Sequence, residues 1–189
     1  MAMVPVAERM TAQEYLAQPV REDRRRVNLV EGEVIVNEPR WFHERHQENI
    51  LFALSAWSRA RPGRGRAALP LDIGLDERNV FAPDVIWYAE GRTPALHDDP
   101  PYPVPDIAVE VRSPSTWRYD IGAKKSGYER EGLRELWLVD TAADEVLVFK
   151  RSSVDAPSFD VALQLGSGDA LASPLLPGFA FAVSELFGD

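Results

Sequence analysis

The apolar positions of this chain fall into short runs of strand type separated by turn residues, with helical spacing in a few windows. Within 43–60, Ile50, Leu51, Leu54 and Trp57 recur at the helical period, and Pro62-Gly63 marks the stop. Thr11-Ala12-Gln13-Glu14 has the form of a capping box, so a short helix is expected from there to about Gln18, ahead of Pro19. Val27 to Val36 holds two β-rich runs around Glu31-Gly32, which reads as a hairpin. Further strand candidates are 67–75, 85–88 and 107–111. Residues 118–131 are helical in pattern, with Ile121, Lys125 and Tyr128 on one side and Gly132 as the C-terminal stop. Leu136–Val139 and Val146–Phe149 flank 140–144 as a second hairpin, and 159–165 with 170–176, around Gly166-Ser167-Gly168, predict a third. Val183–Phe187 is a short helix or a frayed tail. Pro94 to Pro105 carries five prolines and predicts a surface loop between two strands. This order predicts an α/β or α+β domain built on one mixed sheet, with an antiparallel extension after residue 135.

Composition adds exclusions. The chain has 189 residues, 45% apolar and 27% charged, the balance of a globular protein expected to form a single domain over 1–189. With no cysteine, disulfides, thiolate zinc sites, iron–sulfur clusters and cysteine nucleophiles are all excluded. No apolar run approaches the ~20 residues of a membrane helix. The N-terminus lacks the basic and apolar segments of a secretory signal, so a cytoplasmic protein without membrane contact is expected. The net charge of −9 disfavours a polyanionic partner, but the basic residues cluster in 21–26, 59–66 and 112–134. Because exposed charges are screened within ~8–10 Å, an acidic protein can still present a basic face.

Three segments carry candidate chemistry. In Pro105-Asp-Ile-Ala-Val-Glu110-Val-Arg-Ser-Pro114, the apolar run reads as a strand buried on both faces with a glutamate inside it. An ionised carboxylate there is costly unless paired or metal-bound; alternatively, Glu110 sits at the exposed strand end and meets Arg112 or water. In Phe81-Ala-Pro83-Asp84-Val-Ile-Trp-Tyr88, Asp84 opens an apolar run. It is an unremarkable strand-entry residue unless the two strands are neighbours. In that case two acids converge, and a hard divalent cation relieves their repulsion. Asp120 and Lys124 stand at i,i+4 on the following helical segment. Lys124 either forms a surface ion pair with Asp120 or points at the carboxylates, where it would orient water and offset phosphate charge. His43 and His46 lack the zinc-protease order and read as helix-surface or core-edge residues. Arg61 to Arg66 reads as a basic turn. Among the tryptophans, Trp117 lies beside the candidate site and is the one suited to stacking on a base.

The motifs Thr11-Ala-Gln-Glu-Tyr15-Leu, Leu29-Val-Glu-Gly-Glu33, His46, Ala82-Pro-Asp84, Val109-Glu-Val-Arg-Ser-Pro-Ser-Thr116, Asp120-Ile-Gly-Ala-Lys124, Tyr128 and Glu135-Leu-Trp-Leu-Val-Asp140 follow one another in an order that resembles the Uma-type restriction endonucleases, a branch of the PD-(D/E)xK nucleases. The resemblance covers about 10–150. It implies a restriction-endonuclease-like core over about 27–140: a mixed central sheet flanked by helices, with added antiparallel hairpins. It also implies metal-dependent cleavage of nucleic-acid phosphodiester bonds, DNA first, with Mg²⁺ or Mn²⁺ held by Asp84, Glu110 and the backbone carbonyl of Val111. The superfamily's lysine two residues after Glu110 is Arg112 here, and its role of positioning water and stabilising the transition state falls to Lys124. Asn28, Arg112, Ser113, Asp120 and Tyr128 are expected to support the site, and Arg64, Arg66, Arg118 and Lys125 to contact phosphates. A homodimer is expected, because a duplex has two strands to cut. Asn28 stands where the family commonly has an acid, which predicts weaker metal binding. A nuclease-fold binding or scaffolding module that has lost catalysis is the competing reading.

Overall fold

The computed structural model describes residues 9–19, 26–37 and 40–188. Residues 1–8, for which no secretory signal is expected, and 21–25 of the first basic window lie outside the described residues. Helix α1 (Ala12–Leu16) is capped as its sequence requires: Thr11 accepts the Glu14 N–H, and the Glu14 carboxylate accepts the Thr11 N–H. Strands β1 (Arg26–Val30) and β2 (Glu33–Asn37) pair antiparallel through Glu31 at φ 50° and Gly32 at φ 78°. Two successive left-handed residues make the tight turn that matches strand twist. A Cβ on Gly32 would stand 2.6 Å from the Cβ of Arg9, so the glycine also lets the N-terminal segment lie against the turn.

Helix α2 (Trp41–Arg59) buries His43, Gln47, Ile50 and Leu54, spaced i, i+4, i+7 and i+11 along one stripe. The predicted strand over 67–75 divides into β3 (Arg66–Ala68) and β4 (Ile73–Asp76), which belong to different sheets. Pro70 between them has no N–H for a ladder. The unforeseen β5 (Asn79–Phe81) pairs with both β1 and β4, giving a four-stranded sheet of order β2-β1-β5-β4.

The larger sheet has six strands. Besides β3 it contains β6 (Val85–Tyr88), β7 (Ile107–Val111), β8 (Glu135–Asp140), β9 (Glu145–Lys150) and β10 (Val161–Leu165), in the order β10-β9-β8-β7-β6-β3. Only β7 and β8 run parallel. Their crossover carries α3 (Trp117–Tyr119), a π-helical turn over Asp120–Lys124 and α4 (Lys125–Arg130). This is the mixed sheet with an antiparallel extension that the pattern predicts.

One face of the large sheet packs Val85, Trp87, Val109 and Trp137 against Ile50 and Leu54 of α2 and against Leu176, Phe179, Val183 and Leu186. The other face places Ala108, Leu136 and Leu138 against Phe81, Tyr128 and Leu133. Both faces are covered, so β7 is buried at every residue.

The predicted third hairpin is not formed. Strand β10 pairs with β9, while β11 (Ala170–Leu171) pairs with β12 (Phe181–Ala182), just ahead of α5 (Val183–Phe187). Ser173-Pro174 ends the second run after two residues, and the open edge of β9 offers β10 five register pairs instead.

Glu135 at the start of β8 is 2% exposed and accepts hydrogen bonds from Ser173 Oγ (2.7 Å) and Trp137 Nε1 (3.0 Å). Burial raises its pKa above the usual glutamate value, the two donors opposing. Its protonated form is therefore favoured by folding. The stability this brings is complete below the unfolded-state pKa and is lost as pH rises through the folded one. Glu135→Gln keeps an acceptor for Trp137 without the charge, so its melting temperature is expected to exceed that of the wild type by about 2 °C or more at pH 8 and to match it at pH 4. Thermal melts at the two pH values measure this.

Candidate active site

Asp84 immediately precedes β6, and Glu110 is the penultimate residue of β7. These strands pair antiparallel with Val85 opposite Val109, Ile86 opposite Ala108 and Trp87 opposite Ile107. One further step of that register sets Asp84 across from Glu110. Asp84 Oδ2 accepts the Val111 N–H at 2.7 Å, which fixes the carboxylate at the strand end. On β1, Asn28 Oδ1 accepts the Ala82 N–H at 2.7 Å and so ties the Ala82-Pro83-Asp84 segment to the other sheet.

The crossover supplies the cation. Asp120 and Lys124 are the two ends of the π-helical turn and are 3% and 4% exposed, while Ile121 between them is exposed. Single π turns of this kind gather at functional sites. Lys124 Nζ lies 2.6 Å from Glu110 Oε1 and 3.1 Å from Asp120 Oδ1, and Tyr128 donates its hydroxyl to the same Glu110 oxygen at 2.7 Å. Thr116 Oγ1 reaches Asp120 Oδ2 at 3.4 Å. Asn28, Asp84, Glu110, Thr116, Asp120 and Lys124 line a cavity of about 10 Å³, room for one water or ion.

Three carboxylates share this space with one ammonium group. Burial, reinforced by Asp120 and Asp84 and opposed by Lys124, pushes the Glu110 carboxyl up to about 8. Burial also raises Asp120, against the pull of Lys124. Burial works against charge on Lys124, but Glu110, Asp120 and Asp84 outweigh it and hold the lysine above its ordinary range. Tyr128 is raised by burial and by Glu110, so its hydroxyl keeps its proton and remains a donor. A cluster with more acids than cations holds protons on its carboxylates unless another cation replaces them, and hard oxygen donors of this kind suit a divalent metal. Among the described residues, no three His, Asp or Glu side chains converge on a single point that could hold an ion. An ion here would therefore complete its shell with water and substrate oxygens, as Mg²⁺ ordinarily does.

The remaining candidates are dispersed. Arg112 turns away from the cavity: it pairs with Asp140 at 2.7 Å, and its guanidinium lies over the Trp117 ring at 5.3 Å. Trp117 is thus packed under an arginine. Ser113 lies with Arg112 and His43 along a neighbouring cavity of about 450 Å³, and its hydroxyl meets Ser115 Oγ at 3.1 Å. Arg64 sits over Trp57 at 4.4 Å and donates to its carbonyl. Together with the exposed Arg66 it lines a cleft of about 640 Å³ near the C-terminal end of α2. Arg118 donates to the Tyr119 hydroxyl, and Lys125 covers Phe149 and Phe159. These four basic residues do not line the cavity of Asp84 and Glu110.

Two residues of α2 belong to the site and were not foreseen. His43 is buried, with Nε2 3.2 Å from Asp84 Oδ2, and not a helix-surface residue. Gln47 donates to the Asp84 carbonyl at 2.7 Å. Both continue the apolar stripe of Ile50 and Leu54, and a polar residue on a buried stripe is the signal that would have found them. His46 sits at the core edge as expected, with Nδ1 2.6 Å from the Phe42 carbonyl oxygen and its ring against Phe42 and Phe187.

Residues 12–184 match the family Uma2, described as "Putative restriction endonuclease". The chain belongs to this family. Among solved structures it is similar to the crystal structure of a nuclease, titled as putative and assigned to DUF820, from Anabaena variabilis. That similarity has a TM-score of 0.77 at 18% identity and covers 94% of this chain and 97% of the other. At that identity the likeness establishes the fold. No curated protein matches the sequence. In Uma2 terms, the match takes in Asp84, Glu110 and Lys124, the four- and six-stranded sheets and α2. Among the described residues, no helix is long and apolar enough to cross a membrane.

Proposed function

We propose that this Uma2 protein is a metal-dependent endonuclease that hydrolyses phosphodiester bonds of DNA, with Mg²⁺ or Mn²⁺ held by Asp84, Glu110 and the Val111 carbonyl. The observation that carries the reading is the facing pair Asp84 and Glu110, at the ends of two central strands, with the Lys124 ammonium 2.6 Å from Glu110. Membership of a family described as restriction endonucleases supports it. A bound divalent ion would supply a water of lowered pKa and neutralise charge building on the phosphate. The chain's own residues have separable parts. Asp84, braced by the Val111 N–H, keeps one carboxylate fixed at the strand end. Lys124 holds the water-side geometry of Glu110 and offsets negative charge in the transition state. Tyr128 orients the Glu110 carboxyl from behind, and Asn28 fixes the approach of the Asp84 segment through Ala82.

Incubation of supercoiled plasmid with the protein is expected to give nicked and linear products in Mg²⁺ or Mn²⁺, and none once a chelator removes the metal. A module that has lost catalysis is favoured by one observation: the Asn28 oxygen is engaged by the Ala82 N–H and brings no charge to the site. Absence of both cleavage and calorimetric Mn²⁺ binding at millimolar metal would replace the nuclease reading with that one.

A further inference from the structure

His43 lies on the first turn of α2 and is 4% exposed. Among the described residues, neither ring nitrogen has a hydrogen-bond partner. A buried polar group left this way costs about 1–3 kcal/mol, so it needs a reason. The ring is not loosely placed: one turn on, Gln47 bonds the Asp84 carbonyl at 2.7 Å and clamps the helix to the strand end. The resulting distance from His43 Nε2 to Asp84 Oδ2 is 3.2 Å, yet the contact does not form a hydrogen bond. Two donors bound at right angles to one ion, each at about 2.1 Å, stand about 3.0 Å apart, and the line between them is oblique to both bonds. The His43–Asp84 separation of 3.2 Å is close to that distance. Glu110, by contrast, is drawn toward Lys124 and Tyr128, so the carboxylates alone make a sparse cage.

We propose that His43 Nε2 is a ligand of the ion beside Asp84, which makes the site a mixed nitrogen–oxygen one. The inference rests on the metal-dependent reading above and refines its ligand set. An imidazole donor strengthens binding of first-row transition ions more than that of Mg²⁺, so Mn²⁺ is the preferred ion.

Electron spin-echo spectroscopy of Mn²⁺ bound to the wild-type protein tests this without any substitution, because a coordinated imidazole imposes a nitrogen modulation on the echo. That modulation is expected in the wild type and is expected to vanish in His43→Gln. By calorimetry, His43→Gln should lose about tenfold or more in Mn²⁺ affinity and less in Mg²⁺ affinity. Mn²⁺ bound without nitrogen modulation, but lost in Asp84→Ala, would overturn the role of His43 and leave the nuclease reading standing. Modulation that persists in His43→Gln would place the ion on another imidazole and equally overturn it. No Mn²⁺ binding by the wild type would remove both.

Discussion

Asp84→Asn is expected to slow plasmid cleavage in Mg²⁺ by about a thousandfold while leaving the circular dichroism spectrum and the melting temperature close to those of the wild type. The asparagine keeps a side-chain oxygen for the Val111 N–H, so the brace that orients residue 84 survives. What it removes is one negative charge beside Glu110. Metal-assisted stabilisation of a transition state is worth several kcal/mol, and each 1.36 kcal/mol is a factor of ten in rate, which sets the scale of the loss. The variant separates charge from shape: a purely structural Asp84 would tolerate the amide. Equal rates for Asp84→Asn and wild type would show that the cleavage comes from another protein in the preparation or from another site, and the proposed assignment would fall.

Lys124→Met is expected to have the largest effect on stability, and the effect should grow with pH. The ammonium is buried and is the salt-bridge partner of Glu110 at 2.6 Å and of Asp120 at 3.1 Å. Methionine fills similar space without charge. Removing one member of a buried ionic cluster costs about 3–5 kcal/mol, because the partners are left charged in a poor solvent. Protonation limits that cost. Glu110 is already pushed up to about 8 by burial with Lys124 opposing, and Asp120 is raised by the same causes. Loss of the opposing cation raises both further. At pH 5 Glu110 is protonated in both folded proteins, and the deficit is small. As pH rises through 8, the folded wild type gives up the Glu110 proton while the folded variant, lacking the cation, must hold it, so the deficit approaches its full size. Denaturant titrations of both proteins at pH 5 and pH 9 measure it, and a difference independent of pH would contradict this account of the cluster.

Much of this protein is written in local sequence. Thr11 and Glu14 cap α1 because the box is complete within four residues. Glu31-Gly32 turns β1 into β2 because two adjacent residues adopt left-handed backbone. The run Ile107–Val111 is apolar enough to need cover on both faces, which marks Glu110 as an acid requiring a partner. Asp120 and Lys124 meet because four residues on a helical turn bring side chains together. In each case the interaction that decides the structure spans a handful of residues, so its signal survives without knowledge of the rest of the chain.

Pairings across long sequence distances were decided by the tertiary structure. Strand β10 could close on the run after Gly166-Ser167-Gly168 or extend the sheet at β9, and only the open edge of β9 selects the second. Asp84 faces Glu110 because the β6–β7 register holds across the proline-rich loop. His43 reaches Asp84 because Ile50 and Leu54, farther along the same stripe, are buried against the large sheet and carry the first turn of α2 to the strand end. These contacts arise from the packing of whole layers. A sequence names the acids and the lysine, but the hydrophobic surfaces that face one another fix which of its polar residues share a pocket.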